Sequence, residues 1–181
     1  DPVVETAYPQ YDPDKAAELV QQYEEETGEP LTFVFGSTPS PTVREAADLL
    51  AEQWSKVGIE VEAKSNEQTA YILSAVNGSF EANIWRQFGE NNPDGAYVWW
   101  TSSNAADIGT IGLNMARNKD EQIDEAMKTA RASDDEAVRK KAYATVAERF
   151  AIDLPYIWIY HTNWNVIAAN ELHGFTNGPL P

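Results

Sequence analysis

The chain has 181 residues, of which 43% are apolar and 23% charged, as is typical of a single globular domain with its own core. Its 29 acidic and 13 basic residues give a formal charge of -16, which disfavours nucleic acid and anionic membrane surfaces as partners. The absence of cysteine excludes disulfides, thiolate metal sites and cysteine nucleophiles, and no apolar run is long enough to span a membrane.

The first half of the chain alternates between helix and strand patterns. Asp12, followed by proline, predicts a helix start, and Gly28 predicts its end. A strand is predicted over 31–35, then a helix from Thr42, which has capping-box spacing to Glu45. A strand over 59–63, a helix over 67–76 and a strand over 80–87 follow. This order with short connections predicts a parallel sheet with right-handed crossovers.

The second half is predicted to be mainly helical. Two helices begin at about Lys119 and Asp134, with Asn118 and Ser133 as their expected caps. Residues 155–160 carry large side chains at alternate positions and are predicted to form a central strand covered on both sides. The predicted fold class is therefore α/β, a mixed sheet with flanking helices in one domain over residues 1–181.

A ligand site is expected where the strands of such a sheet end. Ligands of open α/β sheets bind at the carboxyl ends of the strands, which selects segments 36–41, 65–66 and 86–104. The last is the richest, because it combines aromatic contact area with polar groups that suit a small polar ligand. The residues predicted to contact ligand are Trp85, Arg86, Gln87, Phe88, Glu90, Asn91 and Asp94. Trp99 and Trp100 are adjacent, and at least one is expected to serve packing only.

Patterns that would indicate catalysis or metal binding are missing from the sequence. His161 and His173 are the only histidines, and neither has a partner at metal-ligand spacing. There is no nucleophile elbow and no phosphate-binding glycine loop. We therefore predict no catalytic residue, no metal and no cofactor. A glycosidase carboxylate pair leaves no sequence pattern, so a carbohydrate-active hydrolase or its accessory domain stays an alternative, as does a purely structural domain.

Several motifs, in this order, resemble the bacterial extracellular solute-binding proteins of family 5, which serve peptide, nickel and oligopeptide ABC transporters. The motifs are YDPDKA at 11–16, WSKVGIEV at 54–61, the segment 80–85 followed by NPD at 92–94, the helix pair over 120–143, and DLPYI at 153–157. Each motif is short, but together they extend over nearly the whole chain.

The resemblance implies a two-lobed protein that closes on a ligand and delivers it to the permease of an ABC importer. It implies that this chain is the second lobe of a class II periplasmic-binding-protein-like fold, and that the first lobe, a partner in the same polypeptide, is missing. The chain ends are accordingly interpreted as cut from a longer protein. The implied location is extracytoplasmic, in the periplasm or on a cell-surface lipoprotein.

The resemblance also implies a peptide or similar small polar solute as the ligand. In peptide-binding members, an aspartate three residues after the strand-end tryptophan holds the amino terminus of the peptide. Phe88 stands at that position here, and Glu90 is the nearest acid. An oligosaccharide stacked on tryptophan is therefore an open alternative. Arg86 is expected either to bind an anionic ligand group through two hydrogen bonds or to pair with a surface acid.

Overall fold

Helices and strands alternate through the first half in a computed structural model of the chain, which describes residues 8–87, 92–160, 167, 169 and 171–174. The elements are α1 (Pro13–Thr27), β1 (Thr32–Ser37), α2 (Pro41–Lys56), β2 (Glu60–Ser65), α3 (Gln68–Asn77) and β3 (Ala82–Asn83). The predicted ends of α1 are confirmed. The Asp12 carboxylate accepts a hydrogen bond from the Lys15 amide at 2.9 Å, and Gly28 ends the helix with a φ of 75°.

The three described strands are all parallel, in the order β2-β1-β3. Their carboxyl ends therefore lie at one edge of the sheet, as predicted. The third strand is much shorter than the predicted 80–87, because only Ala82 and Asn83 pair with β1. Val34 lies one position before Phe35, the first residue of β1 that pairs with β3. The Val34 amide donates instead to the Glu81 carboxylate at 2.5 Å. A side chain thus supplies the acceptor that a longer third strand would have provided.

Helix α2 covers one face of the sheet. The Trp54 indole meets the rings of Phe33 and Phe35 edge-on, at centroid distances of 5.2 and 4.9 Å. We call this cluster the sheet core; its buried residues are Phe35, Ala47 and Ile84, and it also includes Phe33, Val43, Ala46, Leu50, Trp54, Val61 and Ala82.

The predicted Thr42–Glu45 capping box of α2 is wrong. The helix begins at Pro41, and the capping position is Ser40, which makes no side-chain cap hydrogen bond. Proline suits the first helical position because its φ is fixed and it lacks an N–H, so the start lies one residue earlier than predicted.

The second half contains the short helix α4 (Tyr97–Trp100) and the long antiparallel pair α5 (Glu121–Arg131) and α6 (Glu136–Asp153). Two 3-10 turns, Pro93–Ala96 and Ser102–Asn104, flank α4. The buried residues between α5 and α6 form the helical core: Ile123, Ala126, Met127, Ala130, Ala142, Val146 and Phe150. Within the described parts of the chain, every helix is too short or too polar to traverse a lipid bilayer.

The caps of α5 and α6 are Asp120 and Asp135, so the predicted caps Asn118 and Ser133 are wrong. The Asp120 carboxylate accepts hydrogen bonds from the amides of Gln122 and Ile123 at 2.7 and 3.0 Å. A carboxylate at a helix start also interacts favourably with the helix dipole, which an amide or hydroxyl does less strongly.

Residues 155–160 do not form the predicted central strand. Tyr156 and Trp158 lie against Phe150 of the helical core, at ring-centroid distances of 6.0 and 6.3 Å. Ile157 and Ile159, on alternate positions, are 62% and 47% exposed. The α/β fold with flanking helices is confirmed, and its sheet is parallel throughout the described residues, because the segment expected to make it mixed lies on the helices.

The segment between α4 and α5 connects the two cores. The Gly112 amide donates to the carbonyl of Val76, in the last turn of α3, at 2.8 Å. The Arg117 guanidinium donates to the same Val76 carbonyl at 3.0 Å and to the Met115 carbonyl at 2.9 Å. Arg117 has a positive φ of 54°, which is uncommon for a residue with a side chain. The Val76 carbonyl of α3 therefore accepts hydrogen bonds from both Gly112 and Arg117 of the connecting segment.

Candidate functional site

The candidate site lies at the edge where the three strands end. The Asn66 amide donates to the Ser37 carbonyl at 2.8 Å, and the Ile84 amide donates to the Gly36 carbonyl at 3.0 Å. These hydrogen bonds continue the pairing with β1 one step beyond each neighbouring strand. The chain after β3 is thereby held against the carboxyl end of β1 up to Ile84, and Trp85 is the next residue along.

Close packing beneath this edge requires glycine at position 36. A Cβ atom there would lie 2.1 Å from Oδ1 of Asn83 on the neighbouring strand and 3.4 Å from the ring of Tyr71. The face of the sheet opposite α2 is therefore occupied at this point by Asn83 and Tyr71. Glycine lets both side chains approach the backbone of β1.

Tyr71 of α3 positions Trp85. The Tyr71 ring is almost fully buried and stacks on the Trp85 indole, with centroids 5.7 Å apart and planes inclined by 20°. The Tyr71 hydroxyl donates a hydrogen bond to the Ile84 carbonyl, next to Trp85 in the chain. Burial raises the pKa of the Tyr71 phenol, so the hydroxyl stays protonated and remains a donor at neutral pH. One side of the indole is thus fixed by the protein, while Trp85 itself stays only half-buried.

The other predicted ligand contacts separate into three groups. Arg86 is exposed and Gln87 is half-buried, directly after Trp85 at the sheet edge. Phe88, Glu90 and Asn91 lie outside the described residues, so their ligand contacts stay predictions. Asp94 lies against the helical half of the molecule.

The Asp94 carboxylate is bound by Arg131 of α5. Nε and Nη2 of Arg131 donate to the two carboxylate oxygens at 2.8 and 3.0 Å. The guanidinium also lies 3.8 Å from the centre of the Tyr97 ring. Two residues earlier, the side-chain carbonyl of Asn92 accepts a hydrogen bond from Arg139 of α6 at 2.8 Å. A ligand contact by Asp94 stays a prediction, and its carboxylate already has a partner within the chain.

The sequence did not indicate Tyr71, Arg131 or Arg139 as part of this region. Tyr71 lies inside the helix predicted over 67–76, with no pattern that separates it from its neighbours, and the two arginines follow their partners by 37 and 47 residues. The packing expected for at least one of Trp99 and Trp100 is confirmed for Trp100, which meets Phe150 edge-on at 5.0 Å.

Among the described residues, no three histidine, aspartate or glutamate side chains are grouped so as to hold a metal ion. His173 is exposed, and His161 lies outside those residues. The geometry of the site is therefore that of an aromatic surface with neighbouring polar side chains, which suits binding of a small polar ligand.

Comparison with solved structures identifies the architecture. The oligopeptide-binding protein AppA of Bacillus subtilis, in complex with a nonapeptide, matches 84% of this chain and 32% of its own, with a TM-score of 0.71 and 25% identity. The periplasmic binding protein DppA of Helicobacter pylori, in complex with the peptide STSA, matches 82% of this chain and 28% of its own, with a TM-score of 0.70 and 24% identity. The fold is that of a lobe of periplasmic binding proteins.

The chain belongs to the bacterial extracellular solute-binding proteins, family 5, whose middle region matches residues 1–109. The family resemblance inferred from the motifs is thereby confirmed. In sequence, AppA of Bacillus subtilis is 26% identical over 155 residues, covering 84% of this chain and 28% of the relative. The dipeptide-binding protein of Escherichia coli is 24% identical over 176 residues, covering 94% and 32%. The chain therefore spans about a third of the length of these relatives.

Proposed function

We propose that this chain is the second lobe of an extracytoplasmic solute-binding protein that captures oligopeptides and delivers them to an ABC importer. Membership of the family supports this proposal, as does the similarity to an oligopeptide-binding protein, AppA, and to a dipeptide-binding protein. The observation that carries it is the position of Trp85, stacked on Tyr71 at the edge of the sheet where ligands of such folds bind. The lobe binds and does not catalyse.

The proposed mechanism is closure of two lobes around the ligand. The indole of Trp85 supplies apolar contact to peptide side chains or backbone, and Arg86 and Gln87 supply directional hydrogen bonds beside it. Ligand stabilises the closed state because it contacts both lobes there and only one lobe in the open state. A single lobe offers only part of these contacts, so we expect the 181-residue chain alone to bind weakly.

Isothermal titration calorimetry with trialanine tests the proposal, using the full-length polypeptide that contains this chain. We expect trialanine to bind the full-length protein, and Trp85→Ala to weaken its affinity by at least about tenfold, as for aromatic residues at the centre of an interface. Tyr11→Ala is the matched control. Tyr11 is an aromatic residue that is 87% exposed and directly precedes Asp12, the cap of α1, so its removal leaves Trp85 and Tyr71 unchanged.

Three further measurements have outcomes that would contradict the proposal: titration with mannohexaose, an assay with glycoside substrates, and titration of the 181-residue chain alone with trialanine. Binding of mannohexaose but not of trialanine would replace the peptide with an oligosaccharide as the ligand. Hydrolysis of a glycoside substrate that is lost on replacing one carboxylate would make the protein an enzyme. Tight stoichiometric binding of trialanine by the 181-residue chain alone would contradict the division of the site between two lobes.

A further inference from the structure

We propose that Arg131 is a positioning residue for ligand binding, which acts by fixing Asp94 on the helical core rather than by touching the ligand. This inference rests on the proposed function, since it concerns the site at the sheet edge. It begins from the geometry of the pair: Nε and Nη2 of Arg131 meet one carboxylate oxygen each, at 2.8 and 3.0 Å. Two parallel hydrogen bonds of this kind fix orientation as well as distance.

Tyr97 restricts the other side of the same guanidinium. Its ring centre lies 3.8 Å from the guanidinium carbon, within the range of a cation–π contact. Tyr97 itself packs against the helical core. Arg131 is therefore held between an aromatic ring and a carboxylate, and its position is set by residues on both sides.

A second arginine binds the same turn from the neighbouring helix. Arg139 donates from Nη2 to the side-chain oxygen of Asn92 at 2.8 Å, and that oxygen also accepts a hydrogen bond from the Asp94 amide at 3.1 Å. Residues 92–94 are thus attached to α5 through Arg131 and to α6 through Arg139. The helical core supports this turn through two different helices.

The chain is attached to the protein at Trp85, before positions 86–93, and at Asp94, directly after them. On the sheet side, the chain is fixed by the stacking of Tyr71 on Trp85 and by the hydrogen bond to the Ile84 carbonyl. On the helical side, it is fixed by Arg131 at Asp94. Only eight positions separate Trp85 from Asp94, which limits how far apart the two attachment points can lie. Residues that locate a binding site in this way influence affinity without contacting the ligand.

The state of the Asp94 carboxylate agrees with this role. Both of its oxygens already accept hydrogen bonds from Arg131, and about two-thirds of its side chain is shielded from solvent, with 31% exposed. A cationic group of a ligand would have to compete with a guanidinium that is held in place. Asp94 therefore contributes to the site through its position.

The test compares Arg131→Gln, Arg131→Lys and Asp94→Asn in the full-length protein, with Lys128→Gln as the control. Lys128 lies on the same helix and pairs with Glu125 at 2.8 Å on the exposed surface. Three quantities are measured for each: the dissociation constant for trialanine, the hydrogen-exchange rates of the amides from Asn92 to Tyr97, and the melting temperature.

We expect Arg131→Gln to weaken trialanine binding by about tenfold and to accelerate exchange at these amides, as for residues that couple to a site indirectly. Arg131→Lys keeps the charge but loses the two-pronged contact, so its affinity for trialanine should fall about threefold. A variant with both Arg131→Gln and Asp94→Asn should bind trialanine no more weakly than Arg131→Gln alone, because both changes remove the same interaction. Lys128→Gln should match the wild type.

An Arg131→Gln protein that melts like the wild type and binds trialanine as tightly would overturn the inference. If Arg131→Gln does not fold, Arg131→Lys and Asp94→Asn decide by the same measurements. If the wild type itself does not bind trialanine, the proposed peptide function fails. In that case the role of Arg131 in ligand binding fails with it, and exchange at Asn92 to Tyr97 tests the attachment alone: unchanged rates in the folded variant contradict it, and faster rates support it.

Discussion

The sheet core and the helical core are stabilised in different ways. The sheet core is a one-sided apolar layer in which Trp54 of α2 covers Phe33 and Phe35, while β3 contributes only two paired residues. The helical core is enclosed between two long helices, and its Ile123 side chain has no solvent exposure. The candidate ligand surface at Trp85 adjoins the sheet core, which is the less enclosed of the two. The turn at Asp94 is attached by Arg131 to the helical core, which is the more enclosed one. Binding surfaces need some local freedom, which a well-packed neighbour can limit.

The helical core also contains a buried charge with several partners. The Asp120 side chain is 6% exposed and binds the Arg149 guanidinium at 2.6 Å. Burial alone would raise the pKa of the Asp120 carboxyl. The hydrogen bonds from Arg149 and from the amides of Ile123 and Gln122 outweigh burial, so the pKa is lowered overall. Arg149 in turn binds Asp153 at 2.9 Å, one turn further along α6.

The largest effect should come from emptying the helical core. Ile123→Ala should lower the free energy of unfolding by about 3 kcal/mol, because it leaves a cavity in a site that the two helices keep from collapsing. Urea denaturation followed by circular dichroism measures this change. Leu49→Ala, at a position of α2 that is 55% exposed, is the control and should cost below about 1 kcal/mol. A similar cost for both variants would contradict the enclosure of Ile123 in the helical core.

A smaller effect should follow from separating the cores. Arg117→Met keeps the aliphatic stem but removes the donors to the Val76 and Met115 carbonyls. It should lower the free energy of unfolding by about 2 kcal/mol, the cost of leaving such groups without partners. Hydrogen exchange at Gly112, whose amide donates to Val76, should accelerate at the same time. Arg44→Met, on the exposed surface of α2, is the control. Unchanged exchange at Gly112 in the Arg117 variant would show that the cores are joined by other contacts.

The smallest effect is pH-dependent and concerns Asp120. Asparagine also caps helices, so Asp120→Asn keeps the cap and loses the charge. It should lower the free energy of unfolding by roughly 1 kcal/mol at neutral pH. The pKa of Asp120 is lowered on folding, so its charge stabilises the protein above the unfolded pKa of about 4, and this contribution is lost as pH falls towards the folded value. The stability difference between wild type and variant should therefore shrink in urea titrations below about pH 4.

Glu125→Gln on the exposed surface of α5 provides the matched carboxylate-to-amide control for this series, because Glu125 pairs with Lys128 in solvent. The effect of Glu125→Gln at neutral pH should be smaller than that of Asp120→Asn. A difference between wild type and Asp120→Asn that stays constant from pH 7 to pH 3 would contradict the role assigned to the Asp120 charge.

Local patterns were sufficient to predict the presence of the longer helices and the parallel direction of the three strands in the first half. Helix α1 begins and ends where Asp12 and Gly28 indicated, since capping depends on residues only a few positions apart. The prediction of a strand over 155–160 is wrong. Alternation of large side chains shows only that one side of an extended segment is covered, and it does not show which element covers it. Here Tyr156 and Trp158 contact Phe150, so the covering surface is a helix.

The site was predictable to the extent that it depends on topology. Trp85 was chosen because it lies near the end of a predicted strand, and the structure places it two residues after β3 at the carboxyl edge of a parallel sheet. Its contact with Tyr71 and the binding of Asp94 by Arg131 depend on how separate elements pack. Spacing along the chain contains no information on these pairs, since α3 and α5 are each recognisable as helices without them.

The attachment of the chain at Trp85 and again at Asp94 bears on how such lobes can be redesigned. Side chains at positions 86–87 can be exchanged without deleting Tyr71 or Arg131, the residues that hold the two ends. A library randomised at these two positions would therefore probe the proposed ligand selectivity while both attachments are kept. Grafting the corresponding stretch of a relative into this scaffold should succeed most readily when the donor segment has the same number of residues between its tryptophan and its aspartate.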